Sequence, residues 1–302
     1  MNIKYLKHIE IDKRKWDECI STSSNRLIFA FSIYLDVMCP GWDAIVINDY
    51  DSVFALPVKR KFGVKYLYIP SFIPQLGLFG SNPGIDLQSI LKLIKSKVKY
   101  GDIFFNYANH LDSKDIRPKT NFVLHLGEPY ETIHSRFTND LKKNLRKERI
   151  KEMVYSDEMK IESVVKLYKE NYSSRTPNLT ASDYKKLIEV CNMLASIKKC
   201  FTRSLYTIDG NVLCCQICFK DKNRIYTIIN PSTQLGRKKK AAIFLYNEMI
   251  KEFNREEVIL DFVGSDLPGV KSLLKKFGPE NEPSLLYHYN NLPYPLRFFK
   301  RI

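Results

Sequence analysis

The sequence predicts an α+β protein of two tandem domains, each a mixed, mostly antiparallel sheet flanked by helices. Three observations carry this. A chain of 302 residues is long enough for two domains that each bury a core of their own. The order of predicted elements in the first half recurs in the second, at offsets of roughly 155–161 residues. The stretch from Arg224 to Gly278 reads strand, basic loop, helix, strand, which is a parallel crossover unit. The expected boundaries are residues 1–127, a basic connecting helix over 128–151, and residues 152–302.

Composition narrows the class. The chain is 44% hydrophobic and 27% charged, ordinary values for a globular protein. No apolar run reaches ~18 residues, so no membrane-spanning helix is expected. Met1 to Lys7 lacks the apolar stretch of a secretion signal. The seven cysteines are an odd number and show no zinc-ligand spacing with histidine. Buried free thiols, no metal and a cytoplasmic address are therefore expected. The net charge is +15, from 48 basic and 33 acidic residues. A field of that sign attracts coenzyme A, tRNA, a phosphosugar or anionic lipid headgroups at the inner membrane face; a merely solvated lysine-rich surface also fits.

In the first half, Trp16 to Ile20 reads as a short helix. Ala44 to Ile47 and Val53 to Val58 read as strands joined by a turn at Asn48 to Asp51. Lys59 to Val64 reads as a turn before a strand over Tyr66 to Ile69. Pro70, Pro74, Gly77, Gly80, Pro83 and Gly84 then break the chain into an irregular segment. A helix over Leu87 to Val98 and a strand over Asp102 to Tyr107 follow.

Between the halves, Ile133, Phe137, Leu141 and Leu145 recur every four residues on one helix over Tyr130 to Lys151. Arg136, Lys142, Lys143, Arg146, Lys147 and Arg149 load its remaining surface. Helices over Ile161 to Tyr172 and Tyr184 to Leu194 flank the polar loop Ser173 to Pro177. The strand over Asn211 to Ile217 matches that at Val53, Tyr226 to Pro231 matches Tyr66 to Pro70, and Val258 to Ser265 matches Ile103 to His110.

The central stretch holds the candidate donor site. A strand over Ile225 to Asn230 and a turn at Pro231-Ser232 lead to Gly236-Arg237-Lys238-Lys239-Lys240-Ala241-Ala242. A helix carrying Ile243, Leu245, Tyr246, Met249, Ile250 and Phe253 follows. Amides and dipole at that helix entrance favour an anion, and the cations add to the pull. The first half has no such loop, so only the second is expected to hold a phosphorylated donor.

The order of these elements resembles the acyl-CoA-binding half of the GCN5-related N-acetyltransferase (GNAT) fold. Gln234, Leu235 and Gly236 stand where that fold has its pyrophosphate loop, with the glycine one place early. Over almost the whole chain, Leu260 to Ser265, Pro268-Gly269-Val270 and Lys276-Phe277-Gly278 resemble the Fem-like and BioF2-like acyltransferases, as do Leu56-Pro57, Pro70-Ser71-Phe72 and Gln75-Leu76-Gly77. Those proteins carry two GNAT folds in tandem. The resemblance implies an acyl-CoA donor bound by Asn230, Gln234, Gly236, Arg237, Lys238, Lys239, Lys240 and Ala241. It further implies an amine acceptor (an amino sugar, amino acid or cell-envelope precursor) in a cleft between the domains, touched by Gln75, Arg146 and Arg175.

Acyl transfer to an amine needs a held donor, hydrogen bonds to the carbonyl oxygen and a proton acceptor. The resemblance places the carbonyl contacts on backbone amides near the end of the Ile225 to Asn230 strand. Asp261, among apolar strand neighbours, is one candidate acceptor or else a structural partner for the loop after it. Tyr226 and Tyr246 are candidate proton relays or packing residues. His110, His125, His134 and His288 are scattered and read as satisfied surface or core groups. Two alternatives stay open: an aminoacyl-tRNA donor, as Fem transferases use, or a binding protein that has lost catalysis.

Overall fold

A computed structural model describes residues 2–80, 85–146, 152–264, 266–294 and 297. The chain divides into two compact units, one of residues 1–119 with 283–302, the other of residues 120–282.

The first unit starts with β1 (Ile3–Leu6), α1 (Lys13–Thr22), α2 (Ser32–Met38), β2 (Asp43–Ile47) and β3 (Ser52–Leu56). β4 (Val58–Lys61), β5 (Val64–Leu67), β6 (Leu78–Gly80), α3 (Leu87–Lys97), β7 (Tyr100–Phe105) and β8 (Ile116–Lys119) follow. Helix α1 begins where Asp12 accepts the N–H groups of Arg14 and Lys15. It buries Trp16, Cys19 and Ile20, spaced three and four apart. Strands β3 and β4 are separated only by Pro57, which has no N–H for a ladder, and the chain changes sheet there. The segment read as a turn over 59–64 is itself a hairpin, because a two-residue turn at Phe62-Gly63 is enough to pair β4 with β5.

The second unit holds β9 (Phe122–His125), α4 (Tyr130–Ser135), α5 (Asn139–Leu145), β10 (Met153–Ser156), α6 (Ile161–Tyr172) and α7 (Ala181–Ser196). Next come β11 (Cys200–Thr207), β12 (Val212–Asp221), β13 (Arg224–Ile229), α8 (Gln234–Lys238) and α9 (Ala241–Phe253). β14 (Ile259–Asp261), α10 (Pro268–Lys275) and β15 (Glu280–Asn281) complete it. Its seven strands run in the order β10-β11-β12-β13-β14-β9-β15. Helix α9 packs on β11 and β12 and is buried almost all round, with Ile243, Phe244, Leu245, Met249 and Ile250 in one core with Leu213, Cys218 and Leu260. Each such side chain contributes about 1.5–3 kcal/mol on burial. Helices α6 and α7 pack on β12 and β11 through their own apolar stripes.

The last strand, β16 (Ser284–Asn290), returns to the first unit, where it pairs with β7 and β8. Reading through Pro57, the first unit therefore runs β1-β2-β3/β4-β5-β7-β16-β8, the same order as the second. In each unit the strand beside the parallel pair comes from the far half of the chain: β16 in the first, β9 in the second.

That exchange moves the expected boundaries. β9 was placed with the first 127 residues, yet it pairs with β14 and β15, and its Phe122, Val123 and Leu124 are buried there. Residues 283–302 were placed with the second domain, yet β16 carries them into the first. The connecting helix is also two helices. Thr138 caps α5 by accepting the Leu141 N–H, and its own N–H donates to the Lys276 carbonyl at 2.9 Å, so the chain bends at Arg136 to Thr138. Lys147, Arg149, Pro83, Gly84 and Ser265 lie outside the described residues.

Candidate functional site

Strands β13 and β14 are parallel and stay paired for only three residues, Arg224↔Ile259, Ile225↔Leu260 and Tyr226↔Asp261. Beyond that point β13 follows β12 alone, with Ile228 as an extra residue in a bulge between Thr227 and Ile229. The backbone of residues 227–230 therefore has no sheet partner on the β14 side among the described residues. Such a split at the carboxyl ends of parallel strands is where ligands reach a sheet of this kind. Asn230 stands at its mouth, and its Oδ1 is buried with no hydrogen-bond partner among the described residues.

Three side chains extend from this point. Thr227 donates to the Asp261 carbonyl at 3.4 Å and shares a hydrogen bond with the Tyr246 hydroxyl. Burial pushes the Tyr246 phenol far above its ordinary range, and the bond to Thr227 opposes this only in part. Tyr246 therefore stays neutral; it relays a proton only by accepting one as it gives one up. Tyr172, at the end of α6, is close enough to act electrostatically on Tyr246. It stacks on Tyr168 at 5.3 Å between ring centres, and the Arg175 guanidinium lies 5.6 Å from its ring. Tyr246, Tyr172 and Arg175 are thus brought into one neighbourhood. Tyr226 is buried at the last paired position of β13.

Asp261 is committed elsewhere. Its Oδ2 accepts from Arg224 at 2.7 Å and its Oδ1 from the Val263 N–H at 2.8 Å, where Val263 has a left-handed φ of 50°. Arg224 also binds both oxygens of Glu282, at 2.7 and 2.9 Å. A carboxylate held by a buried guanidinium and capping its own turn is a structural acceptor.

The basic glycine loop is not a loop. Residues Gln234–Lys238 form α8, capped by Thr233, whose Oγ1 accepts the Gly236 N–H at 3.0 Å. Glycine is required at 236 because a Cβ there would lie 1.8 Å from the Leu213 carbonyl oxygen of β12. The reason is close packing of backbone on backbone, so the Gly236 amide is not presented to a ligand. Arg237 donates to the Ser232 carbonyl at 2.6 Å, and Lys239 pairs with Glu152 at 3.3 Å. Gln234 and Lys238 are exposed. Lys240 takes a left-handed φ of 55° as α9 begins, and its Nζ lies 3.4 Å from Asn144 Oδ1 of α5. The first-turn N–H groups of Ala241 and Ala242 have no intrahelical acceptor, which leaves them as the donors of the α9 entrance.

Arg146 ends α5, two residues past Asn144, and is exposed. Burial, then the charges of Lys142, Arg146 and Lys251, hold His134 below its ordinary pKa, which marks a shared positive field on this face. Gln75 belongs to the first unit, is buried, and accepts the Tyr107 N–H at 3.0 Å. Elsewhere in the same unit the Leu78 carbonyl takes bonds from Asn25, Asn106 and Asn109. The first unit repeats the strand split: β5 and β7 meet only at Leu67↔Gly101. Its cavity, lined by Phe54, Leu56, Leu67, Ile69 and Ile103 among others, is about 20 Å³, room for one water-sized molecule.

Thr227, Tyr172 and Asn144 were not singled out from sequence. Asn144 read as one more polar residue of a basic helix. Thr233, three residues before Gly236, was a legible helix cap.

The fold is that of two tandem GNAT-like domains. It matches the crystal structure of FemX over 99% of each chain, at 12% identity and a TM-score of 0.65. An acetyltransferase of the GNAT family from Colwellia psychrerythraea matches over 96% of this chain and 100% of that one, at 11% identity and 0.53. A tandem GNAT protein from the clavulanic acid biosynthesis pathway matches over 97% and 99%, at 9% and 0.52. At these identities the likeness is one of fold. No protein-family model matches the sequence, and no curated protein matches it significantly. Among the described residues no helix is long and apolar enough to cross a membrane.

Proposed function

We propose that the protein is an N-acyltransferase that moves an acyl group from acyl-CoA to an amine acceptor. The observation that carries this is the parting of β13 from β14 beside the entrance of α9. In this reading the unpaired backbone of residues 227–230 and the Asn230 carboxamide hold the acyl carbonyl and the amide-rich arm of the carrier. The orphaned Asn230 Oδ1 fits an N–H of such an arm. Arg237, Lys238, Lys239 and Lys240, with the Ala241 and Ala242 amides, face its phosphates.

The amine forms the new C–N bond, the thioester C–S bond breaks, and the amine proton ends on the leaving sulfur. Neutral Tyr246, with Thr227, is the proton relay of this scheme. In this reading Arg175, beside Tyr172, meets an anionic group of the acceptor, which we assign to the amino sugars, amino acids or cell-envelope precursors. Arg146 belongs to the same positive face as Lys240. Calorimetric titration with coenzyme A tests the reading through saturable binding.

A second reading, an aminoacyl-tRNA donor, is favoured by one observation. Helix α8 fills the place where an open glycine loop would wrap a pyrophosphate, and it presents cations on an exposed surface. Charged tRNA binding with a steep salt dependence, and no response to coenzyme A, would select it. Binding of neither would leave a non-catalytic GNAT-fold protein.

A further inference from the structure

The β4–β5 hairpin of the first unit carries a feature that folding does not explain. Val58 to Lys65 holds four cations, Lys59, Arg60, Lys61 and Lys65, and no acidic residue. Its two-residue turn is Phe62-Gly63, both with positive φ, 50° and 76°. The first place of such a turn favours asparagine, aspartate or glycine, and a bulky side chain there is strained. Phe62 gains no burial in return: it is 94% exposed, and the Lys61 ammonium lies 5.6 Å from its ring centre. Lys59, Arg60, Lys61, Phe62 and Gly63 are all exposed in succession. Lys65 is different: paired with Arg60 one step from the turn, it is tied to Tyr5 and Asp43. The Lys59 ammonium lies 4.0 Å from the centre of the Tyr68 ring and remains exposed. A strained, water-facing aromatic at the tip of a rigid cationic finger has a use at a surface that is apolar inside and anionic outside.

We propose that this hairpin is a docking element for an anionic phospholipid surface, with Phe62 entering the headgroup–acyl boundary and Lys59, Arg60 and Lys61 facing lipid phosphates. Charge complementarity and the apolar tip together favour lipid. A nucleic-acid groove stacks successive bases on a row of aromatics, whereas this tip offers one ring with no hydrogen-bonding atom. The hairpin belongs to the first unit, and its role does not depend on the donor assigned to the second.

The test is sedimentation of the full chain with vesicles of phosphatidylcholine alone and of phosphatidylcholine mixed with phosphatidylglycerol. The protein is expected to pellet with the anionic vesicles only, and to be released by salt. Phe62→Asn should weaken this binding by about tenfold while keeping or raising the melting temperature, because asparagine suits the left-handed turn. Replacing Lys59, Arg60 and Lys61 together by Gln should weaken it by about 100-fold; these strand positions are exposed, so this variant carries the test if Phe62→Asn is unstable. Failure to pellet, equal binding to neutral vesicles, or undiminished binding by both variants overturns the proposal. Tighter capture by a single-stranded oligonucleotide, lost in the same variants, overturns it in favour of nucleic acid.

Discussion

The Arg224 guanidinium meets the Asp261 carboxylate at 2.7 Å, with their side chains only 4% and 3% exposed. This pair joins β13 to β14 at the place where the two strands part. We propose that Asp261 serves to hold the two strands together there, in place of the proton-accepting role. Asp261→Ala should destabilise the protein by about 3 kcal/mol, since it leaves a buried guanidinium short of a partner. Urea unfolding measures this. A variant of unchanged stability that had lost turnover would instead make Asp261 a catalytic group.

Gly236 should tolerate no side chain. Gly236→Ala pushes a methyl into the Leu213 carbonyl, a backbone atom that cannot swing aside. A loss of about 3 kcal/mol is expected, the upper end for overpacking. Gly269, in the short helix α10, has open space around its Cβ position and an unstrained φ. Gly269→Ala should therefore be neutral or stabilising by up to about 1 kcal/mol. The difference between the two midpoints is the readout.

Acid should weaken the second unit through Glu252. Burial raises this carboxyl, but hydrogen bonds from Arg203 and Tyr155 and the Arg203 charge outweigh it and hold the pKa below its ordinary 4.5. A depressed folded value means the stabilisation is present above 4.5 and is lost as pH falls through the lower, folded one. Melting temperatures should thus drop more steeply below that pH in the native protein than in Glu252→Gln.

Much of the fold was legible because its signals are local. The three- and four-residue spacing of Ile243, Tyr246, Met249 and Ile250 and the apolar run of β12 each declare an element within a few residues. The stripe of Ile133, Phe137 and Leu141 did not, because it runs across a break between two helices. The identity of β9 and β16 was not legible. Phe122 to His125 is a short apolar run that would suit either unit, and only the pairing across to Ile259–Asp261 decides. The site divides the same way. The positive charge over 237–240 was plain, but the glycine at 236 looked like a phosphate cradle. Its true constraint is a neighbour, Leu213, that is distant in sequence. Asp261 was visible as a buried acid, while the buried Arg224 that claims it lies 37 residues earlier.

Titration calorimetry with coenzyme A, on the native protein and on the variant with Lys238, Lys239 and Lys240 replaced by Ala, tests the account most directly. Saturable binding that weakens by about 1–3 kcal/mol in the variant is the predicted result. No binding to the native protein, or an identical dissociation constant in the variant, would contradict a donor held at the entrance of α9.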